Sequence, residues 1–464
     1  MKRIVVIGGG ISGLAAAWAA RQEAARVPGG LEVLVLERDP EVGGKARTLA
    51  RDGWLVEAGP GGFLGGRPDV DRLIAAVGME GERVTADAAA AHRFIVIRGK
   101  MREVAQNPVA FARSGLLSAG GFLRLLAEPL VPRRTDGADE SIWQFTARRL
   151  GRQVADNLIR PMTLGIYAGD AASLSVQACF PRMTALERDH GGLIRGLIAR
   201  RGKASSGALT SFRRGMQSFP EAIAARGGFT VRRGAAVQGI ARTDDGWAVR
   251  VAGDGEAIPA DAVIIAAEPF AAAPLLRPLD ARAADELDAI ACPPVSVVGL
   301  GYAGAEAARI PVGFGALIAR GEGLRALGNL WESRFYPERG PSGAVLVRAM
   351  FGGQVDPEAG ALGESELVAL AREEVKRLYG ITAAPVMQRV YRWPRAIPQY
   401  AMGHVARVER IERAVGAFPG LFITGYGMRA IGFADAAVNA VRCGERAAAA
   451  VRDAGARLEP VASV

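Results

Sequence analysis

The sequence predicts the α/β class, with an α+β part attached, and three observations predict it. An apolar strand at residues 3–7 enters a glycine turn and an Ala-rich, helix-favouring stretch at 11–25, and a second apolar run, LEVLVLE, follows at 31–37. Residues 70–230 favour helices, apart from one strand pair in HRFIVIRGKMREV. From residue 229 the pattern turns to short strands: FTVRRGAAV, GWAVRVA and DAVIIAA, then VSVVGLGYA and GAVLVRAMF within 295–350.

Half of the 464 residues are hydrophobic, enough for a large core and more than one structural unit. The PGG at 28–30 marks the turn before the second strand. ESELVALAREEVKRL (364–378) spaces its apolar residues three and four apart, as an amphipathic helix requires. LFITG (421–425) reads as a strand and 433–452 as a small-residue helix. The expected organisation is a discontinuous nucleotide-binding domain over 1–85, 211–292 and 415–464. A mixed-sheet substrate domain over 86–99 and 293–414 is inserted in it, together with a mostly helical, membrane-facing domain over 100–205.

Net charge is +10, carried by 53 arginines against five lysines. Such a balance suits acidic partners (nucleic acid, anionic lipid or a polycarboxylate substrate), and an arginine-rich composition explains it equally well. The basic stretch RRGKASSGALTSFRR (200–214) lacks interleaved aromatics, so no nucleic-acid partner is expected. Cys179, Cys292 and Cys443 are far apart and fit no metal spacing. They point to a reducing compartment and no metal. No run approaches the roughly 18 apolar residues of a membrane span, and the chain opens on its first strand, so a cytoplasmic protein is expected. SGLLSAGGFLRLLAEPLVPRR (114–134) reads either as an interfacial helix resting on the inner face of the cell membrane or as an ordinary buried helix.

VVIGGGISG (5–13) holds Gly8, Gly10 and Gly13 between strand and helix, the Rossmann-type arrangement. Gly8 permits the tight turn, Gly10 lets a pyrophosphate approach the backbone, and Gly13 lets helix and strand pack closely. The open N–H groups of the helix then face the negative charge. The second strand ends in Glu37, placed to accept hydrogen bonds from ribose hydroxyls. Gly43 and Gly44 let a second loop close over the pyrophosphate, with Lys45 or Arg47 nearby to balance its charge. EAGPGG (57–62) offers a backbone-rich loop suited to a flat ring. A second stretch, VVGLGYAG (297–304), has the same letters, but only AEAARI separates Gly304 from Pro311. A crossover helix of ten or more residues does not fit there. It is expected to be a strand of the substrate-side sheet, joined by a short loop to a neighbouring strand in GFGALIARG.

The order of these motifs, closed by LFITGYGMRAIGFADAAVNAV (421–441), resembles the flavin amine oxidase and desaturase superfamily, whose cofactor is FAD. Further pieces narrow the resemblance to the oxygen-dependent protoporphyrinogen oxidases: LIRPMTLGIYAGDAASLSVQACFP (158–181), SFRRGMQSFP (211–220) and YRWPRAIPQYAMGH (391–404). It spans nearly the whole chain. It implies FAD contacts at Gly8, Gly9, Gly10, Ile11, Ser12, Gly13, Glu37, Arg38, Lys45, Gly59, Pro60, Gly61, Gly62, Val237, Trp393, Ile431, Gly432 and Phe433. Val237 ends a small strand, where its backbone would read the adenine edge. On the substrate side the resemblance implies Arg93 at a porphyrinogen carboxylate and Tyr167, Ala168 and Gly169 on the cavity floor.

The implied reaction is three rounds of two-electron oxidation of protoporphyrinogen IX, with hydride passing from a meso carbon to flavin N5 and dioxygen leaving as hydrogen peroxide. No side chain is assigned catalysis, and His92, His190 and His404 share no acid/base signature. Coproporphyrinogen III oxidation by the same chemistry is the alternative reaction. A flavoprotein that binds a tetrapyrrole or partner without turnover is a lesser one, because Tyr426 and Ala430 stand where the family pattern has Asn and Gly. Peripheral membrane contact and a homodimer complete the partners considered.

Overall fold

The computed structural model describes residues 1–199 and 207–456. The positions 200–206 of the basic stretch, and 200–205 and 457–464 of the expected domains, lie outside the described residues. The α/β class is observed. Five parallel strands form the first sheet, in the order Thr230–Arg232, Leu31–Leu36, Lys2–Ile7, Ala262–Ile265 and Leu421–Ile423. Its central strands are continuous apolar runs because both faces are covered. Helices Ile11–Gln22 and Phe433–Ala456 pack together on one face. A three-stranded antiparallel sheet (Val237–Thr243, Gly246–Val251, Ile258–Ala260) and helices Pro269–Leu276, Ala281–Asp288 and His404–Gly416 cover the other.

The second sheet has seven strands, in the order Met387–Trp393, Val295–Tyr302, Val345–Gly352, Ala326–Trp331, Gly315–Ile318, Arg93–Ile97 and Lys100–Glu103. It is mixed: only Gly315–Ile318 and Arg93–Ile97 run parallel. The hairpin of Arg93–Ile97 and Lys100–Glu103 crosses the expected boundary at residue 100, and His404–Gly416 packs on the parallel sheet rather than on this one.

All but the last two residues of the second glycine stretch lie in Val295–Tyr302, a strand buried along its whole length; Ala303 and Gly304 follow it and are exposed. Its alternate residues Val298, Leu300 and Tyr302 meet the helix Glu364–Tyr379 in one apolar cluster. Gly299 and Gly301 face the opposite side, where the hairpin Thr48–Arg51/Trp54–Glu57 lies. A Cβ on Gly301 would come within 2.6 Å of the Trp54 ring, and one on Gly299 within 2.8 Å of Val56. These glycines therefore make room for a hairpin, not for a nucleotide. The expected neighbour, Gly315–Ile318, is in the same sheet but two strands intervene. A one-turn helix, Gly304–Ala308, turns the chain away first.

Between residues 108 and 199 the chain is a cluster of short helices. The segment 114–134 is not a buried helix. It forms the helix Ala119–Leu126 with no buried residue, and Leu123, Leu126 and Leu130 stand exposed. Among the described residues no helix is long and apolar enough to cross a membrane.

Gly301→Val should overpack the hairpin against the sheet and cost roughly 1–3 kcal/mol. Denaturant unfolding should show that loss while the purified protein keeps its full flavin content. A variant of unchanged stability that lost nucleotide would return the stretch to a cofactor role.

Candidate functional site

A cleft of about 520 Å³ opens at the carboxyl ends of the parallel strands. Its walls bring together Gly8, Gly10, Ile11 and Ser12 with Glu37, Arg38, Gly43, Gly44, Lys45, Val237 and Trp393. Gly8 turns the chain at φ +112°, and a Cβ on Gly13 would lie 1.8 Å from the Gly8 carbonyl oxygen, so strand and helix pack with no room between them. Gly10 precedes the helix Ile11–Gln22 without any side-chain cap, and its first turn holds no acidic residue. The first N–H groups of that helix have no acceptor within it. Gly43 N–H donates to the Gly9 carbonyl at 2.9 Å, joining the second glycine loop to the first.

Glu37 is buried and its two oxygens are spread across the turn. Oε2 accepts from Gly9 N–H at 2.5 Å and Oε1 from Asp39 N–H at 2.9 Å. Lys45 reaches across the cleft: its ammonium lies 2.9 Å from Glu268, donates to the Arg395 carbonyl at 2.5 Å, and sits 4.4 Å from the centre of the Trp393 ring. Trp393 is fixed from behind, with Nε1 donating to the Ala58 carbonyl at 2.7 Å.

The cleft fits FAD on two local observations. Ser12 Oγ is buried on the cleft wall with no hydrogen-bond partner, a donor beside the open helix terminus. The space over Gly10 is clear, since a Cβ there would find its nearest atom, Gly44 Cα, at 4.0 Å. Together these form a polar, glycine-floored cradle for a pyrophosphate.

Other expected positions lie off this cleft. Gly59, Pro60, Gly61 and Gly62 continue from Ala58 and Trp393 over a buried ionic cluster. Phe433 packs its ring on Phe63 and Phe219 in the domain core, Gly432 precedes that helix, and Ile431 leans on the apolar cluster around Tyr167. Val237 does line the cleft, but it opens a strand rather than ending one. The chain turns at Gly234 (φ +65°), which separates Thr230–Arg232 from Val237–Thr243. On the substrate side, Ala168 belongs to an apolar cluster that also contains Val295, Ala396 and Trp393. Tyr167 is buried with its hydroxyl donating to the Cys179 carbonyl at 2.8 Å, and burial raises its pKa. Gly169 follows them, and a Cβ there would meet the Gln399 and Leu174 side chains. Arg93 belongs to neither the Tyr167 nor the Ala168 cluster. It is exposed at the start of its strand, with its guanidinium 5.2 Å from the Phe314 ring.

Sequence reasoning missed Glu268 and Arg395 on the cleft wall, both contributed by loops after distant strands, whereas Gly425 and Tyr426, also on that wall, belong to the closing segment it singled out. It also missed the ionic cluster beneath residues 59–62. Glu57, Arg339, Glu332 and Arg348 are all nearly or wholly buried. Glu57 lies 3.2 Å from Arg339 and accepts from Met216 N–H and Thr48 Oγ1; Arg348 lies 2.8 Å from Glu332. Arg348 also donates to the carbonyls of Glu57 and Gly59, at 3.1 and 2.9 Å. Burial pushes the Glu57 carboxyl up to about 7, against the pull of the Arg339 charge.

Fold and cleft together define a dinucleotide-binding flavoprotein oxidoreductase. The chain belongs to the flavin containing amine oxidoreductase family, whose sequence pattern matches residues 11–452. FAD is its cofactor. It is 34% identical to the chloroplastic protoporphyrinogen oxidase of Oryza sativa subsp. japonica, over 91% of this chain and 83% of that protein. It is 29% identical to the coproporphyrinogen III oxidase of Bacillus subtilis (strain 168), over 98% of each. A solved structure from Exiguobacterium sp. 255-15 shares the fold with a TM-score of 0.84 at 23% identity, covering 97% of this chain and 99% of that one.

Gly10→Ala should fold normally, because the added methyl meets only open space, yet bind FAD at least about tenfold more weakly. Flavin fluorescence titration, alongside the melting temperature of the FAD-free protein, checks this; wild-type affinity would overturn it.

Glu57 gives a pH signature. Its carboxyl ionises near 4.5 when unfolded and near 7 when folded, so the unfolded chain releases the proton first. Stability from this group falls as pH rises from 4.5 to about 7 and is level above that. Wild-type stability relative to Glu57→Gln should therefore decline across that window in urea unfolding with excess FAD. A flat or rising difference contradicts the assignment.

Proposed function

We propose that this chain oxidises protoporphyrinogen IX to protoporphyrin IX with bound FAD, as a step of haem biosynthesis. The observation that carries the reading is breadth of similarity: both a protoporphyrinogen oxidase and a coproporphyrinogen III oxidase align over 91% or more of the chain. When bound, FAD takes up hydride from the substrate and passes the electrons to dioxygen, which leaves as hydrogen peroxide.

The chain's own work is positional. Ser12 and the first-turn N–H groups would hold the pyrophosphate, Glu37 the ribose hydroxyls and Val237 the adenine edge, with Trp393 walling the cleft. The backbone at 59–62 and 431–433 would border the flavin. The apolar cluster of Ala168, Val295 and Ala396, continuous with Trp393, would exclude water beside Tyr167 and Gly169 and seat a flat macrocycle. Arg93 would pair with a substrate carboxylate. Neither Tyr167 nor His404 is free for proton transfer: both are buried and engaged with backbone carbonyls. The reading extends to a cytoplasmic protein that touches the inner face of the membrane through its exposed leucines at 123, 126 and 130, and to a homodimer.

Coproporphyrinogen III is the second reading, favoured by the end-to-end alignment with the B. subtilis relative. Turnover of the two porphyrinogens in air, followed by porphyrin fluorescence, separates them. Protoporphyrinogen should be preferred by about tenfold or more in kcat/KM, and the reverse ratio would move the assignment to coproporphyrinogen. Anaerobic mixing with either substrate should bleach the flavin absorbance. A flavin that stayed oxidised with both would sink the oxidase reading and leave a binding protein.

A further inference from the structure

The stretch IPQYAMGH (397–404) touches three parts of the molecule within eight residues. Gln399 Nε2 donates to the Tyr167 carbonyl at 2.9 Å, gripping the end of the helix Arg160–Tyr167. The Tyr400 carbonyl accepts from Ser175 N–H at 2.8 Å, and Gly403 N–H donates to Asp139 at 2.8 Å, so the short-helix cluster is held as well. The third contact is with the glycine segment that closes the cofactor cleft. The Tyr400 hydroxyl donates to the Tyr426 carbonyl, and His404 Nε2 donates to the Met428 carbonyl at 2.9 Å. The two rings lie face to face, with centroids 3.9 Å apart and planes 14° from parallel. Both side chains are at most 3% exposed.

We propose that Tyr400 and His404 are positioning residues that clamp the segment 425–430 so that Gly425 and Tyr426 form the cleft wall facing the cofactor. The stacked pair works as one rigid unit. Each ring fixes the other's plane, and each contributes one donor to a carbonyl of the same segment, two residues apart. Because a buried carbonyl has no water to turn to, both donors hold their partners in place. Burial makes His404 hard to protonate, so at neutral pH it donates as the neutral Nε2–H form. Through Gln399, Ser175 and Asp139 the clamp also joins the helical part to the cleft. The inference rests on the cleft holding FAD.

The test is FAD affinity of the full chain after cofactor removal, read by quenching of flavin fluorescence. Tyr400→Phe keeps the ring stack and loses only the donor; it should weaken FAD binding about tenfold while the FAD-free protein keeps its far-ultraviolet spectrum and still unfolds cooperatively. His404→Leu should weaken binding by a similar factor. His404→Gln, whose amide nitrogen reaches the same carbonyl, should recover most of it. A merely structural role predicts instead that both His404 variants lower the melting temperature alike and leave affinity untouched. FAD affinity within twofold of wild type for folded Tyr400→Phe and His404→Leu would overturn the clamp. A wild-type chain that failed to bind FAD would overturn the cleft assignment itself.

Discussion

The architecture depends on how the hairpin Thr48–Arg51/Trp54–Glu57 is fastened between the two sheets. It follows directly on the Gly43-Gly44 loop, so wherever it docks it carries one wall of the cofactor cleft with it. Apolar packing seats it: Trp54 and Val56 enter the space left by Gly301 and Gly299. The ionic cluster then fixes its orientation. Two carboxylates and two guanidinium groups removed from water are costly, and that cost is offset only when hydrogen bonds accompany the ion pairs. They do here. Arg348 spends one nitrogen on two peptide carbonyls, Arg339 donates to Phe212 O and Ser211 Oγ, and Glu57 takes the Met216 N–H. The cluster thus ties the hairpin to the mixed sheet through Arg348 and to the cofactor domain through Met216. Removing one partner would leave an unpaired buried charge, so the hairpin docks with all four groups matched.

The same cluster bears on the excess of arginine. A net charge of +10 suggests an acidic partner, yet several arginines do internal work that lysine could not. Arg149 is wholly buried, paired with Glu128 and donating to the Val131 carbonyl. Arg148 bridges Glu140 and Glu187 through a fork of donors. A guanidinium can satisfy several fixed acceptors at once because its donors lie in one plane. Composition therefore mixes two populations, and only exposed members such as Arg93 remain available for a carboxylate substrate.

What the sequence made legible was local. A strand, a glycine turn and a helix sit within twenty-odd residues, so Gly8, Gly10, Gly13 and Glu37 could be assigned from spacing alone, and each sits in or under the cleft wall. The amphipathic period of Glu364–Tyr379 likewise identified a helix and its buried face. What escaped depended on pairing across the chain. Val237 was misread as a strand end because the letters FTVRRGAAV are uniformly strand-like; the break comes from the turn at Gly234 and from Ala235 N–H donating to Glu37 O. Gly315–Ile318 was taken as the neighbour of Val295–Tyr302 because the two are close in sequence, whereas Val345–Gly352 and Ala326–Trp331 come between them. Glu57, Glu332, Arg339 and Arg348 carry no spacing signal, since one lies about 280 residues from the others.

The two glycine stretches bear on whether the chain has one nucleotide cradle or two. Letters alone make them equivalent, and two nucleotide sites would describe a reductase fed by a nicotinamide. The difference is in what the glycines face. In the first stretch the strand ends, the helix begins, and its first N–H groups and Ser12 Oγ are left with no protein acceptor, as an anionic ligand requires. In the second the strand runs on through Gly299 and Gly301 to Tyr302, every residue of Val295–Tyr302 is buried, its peptide groups pair with Val345–Gly352 on one side and Met387–Trp393 on the other, and only the one-turn helix Gly304–Ala308 follows. The N–H groups of Gly299 and Gly301 belong to the sheet rather than to a helix terminus, and the missing Cβ atoms are replaced by Trp54 and Val56. The second stretch instead supports the wall that ends in Trp393, beside the apolar cluster of Ala168. Of the two glycine stretches, then, one forms a nucleotide cradle and the other packs a hairpin, and the proposed oxidase reaction has no need of a second cradle.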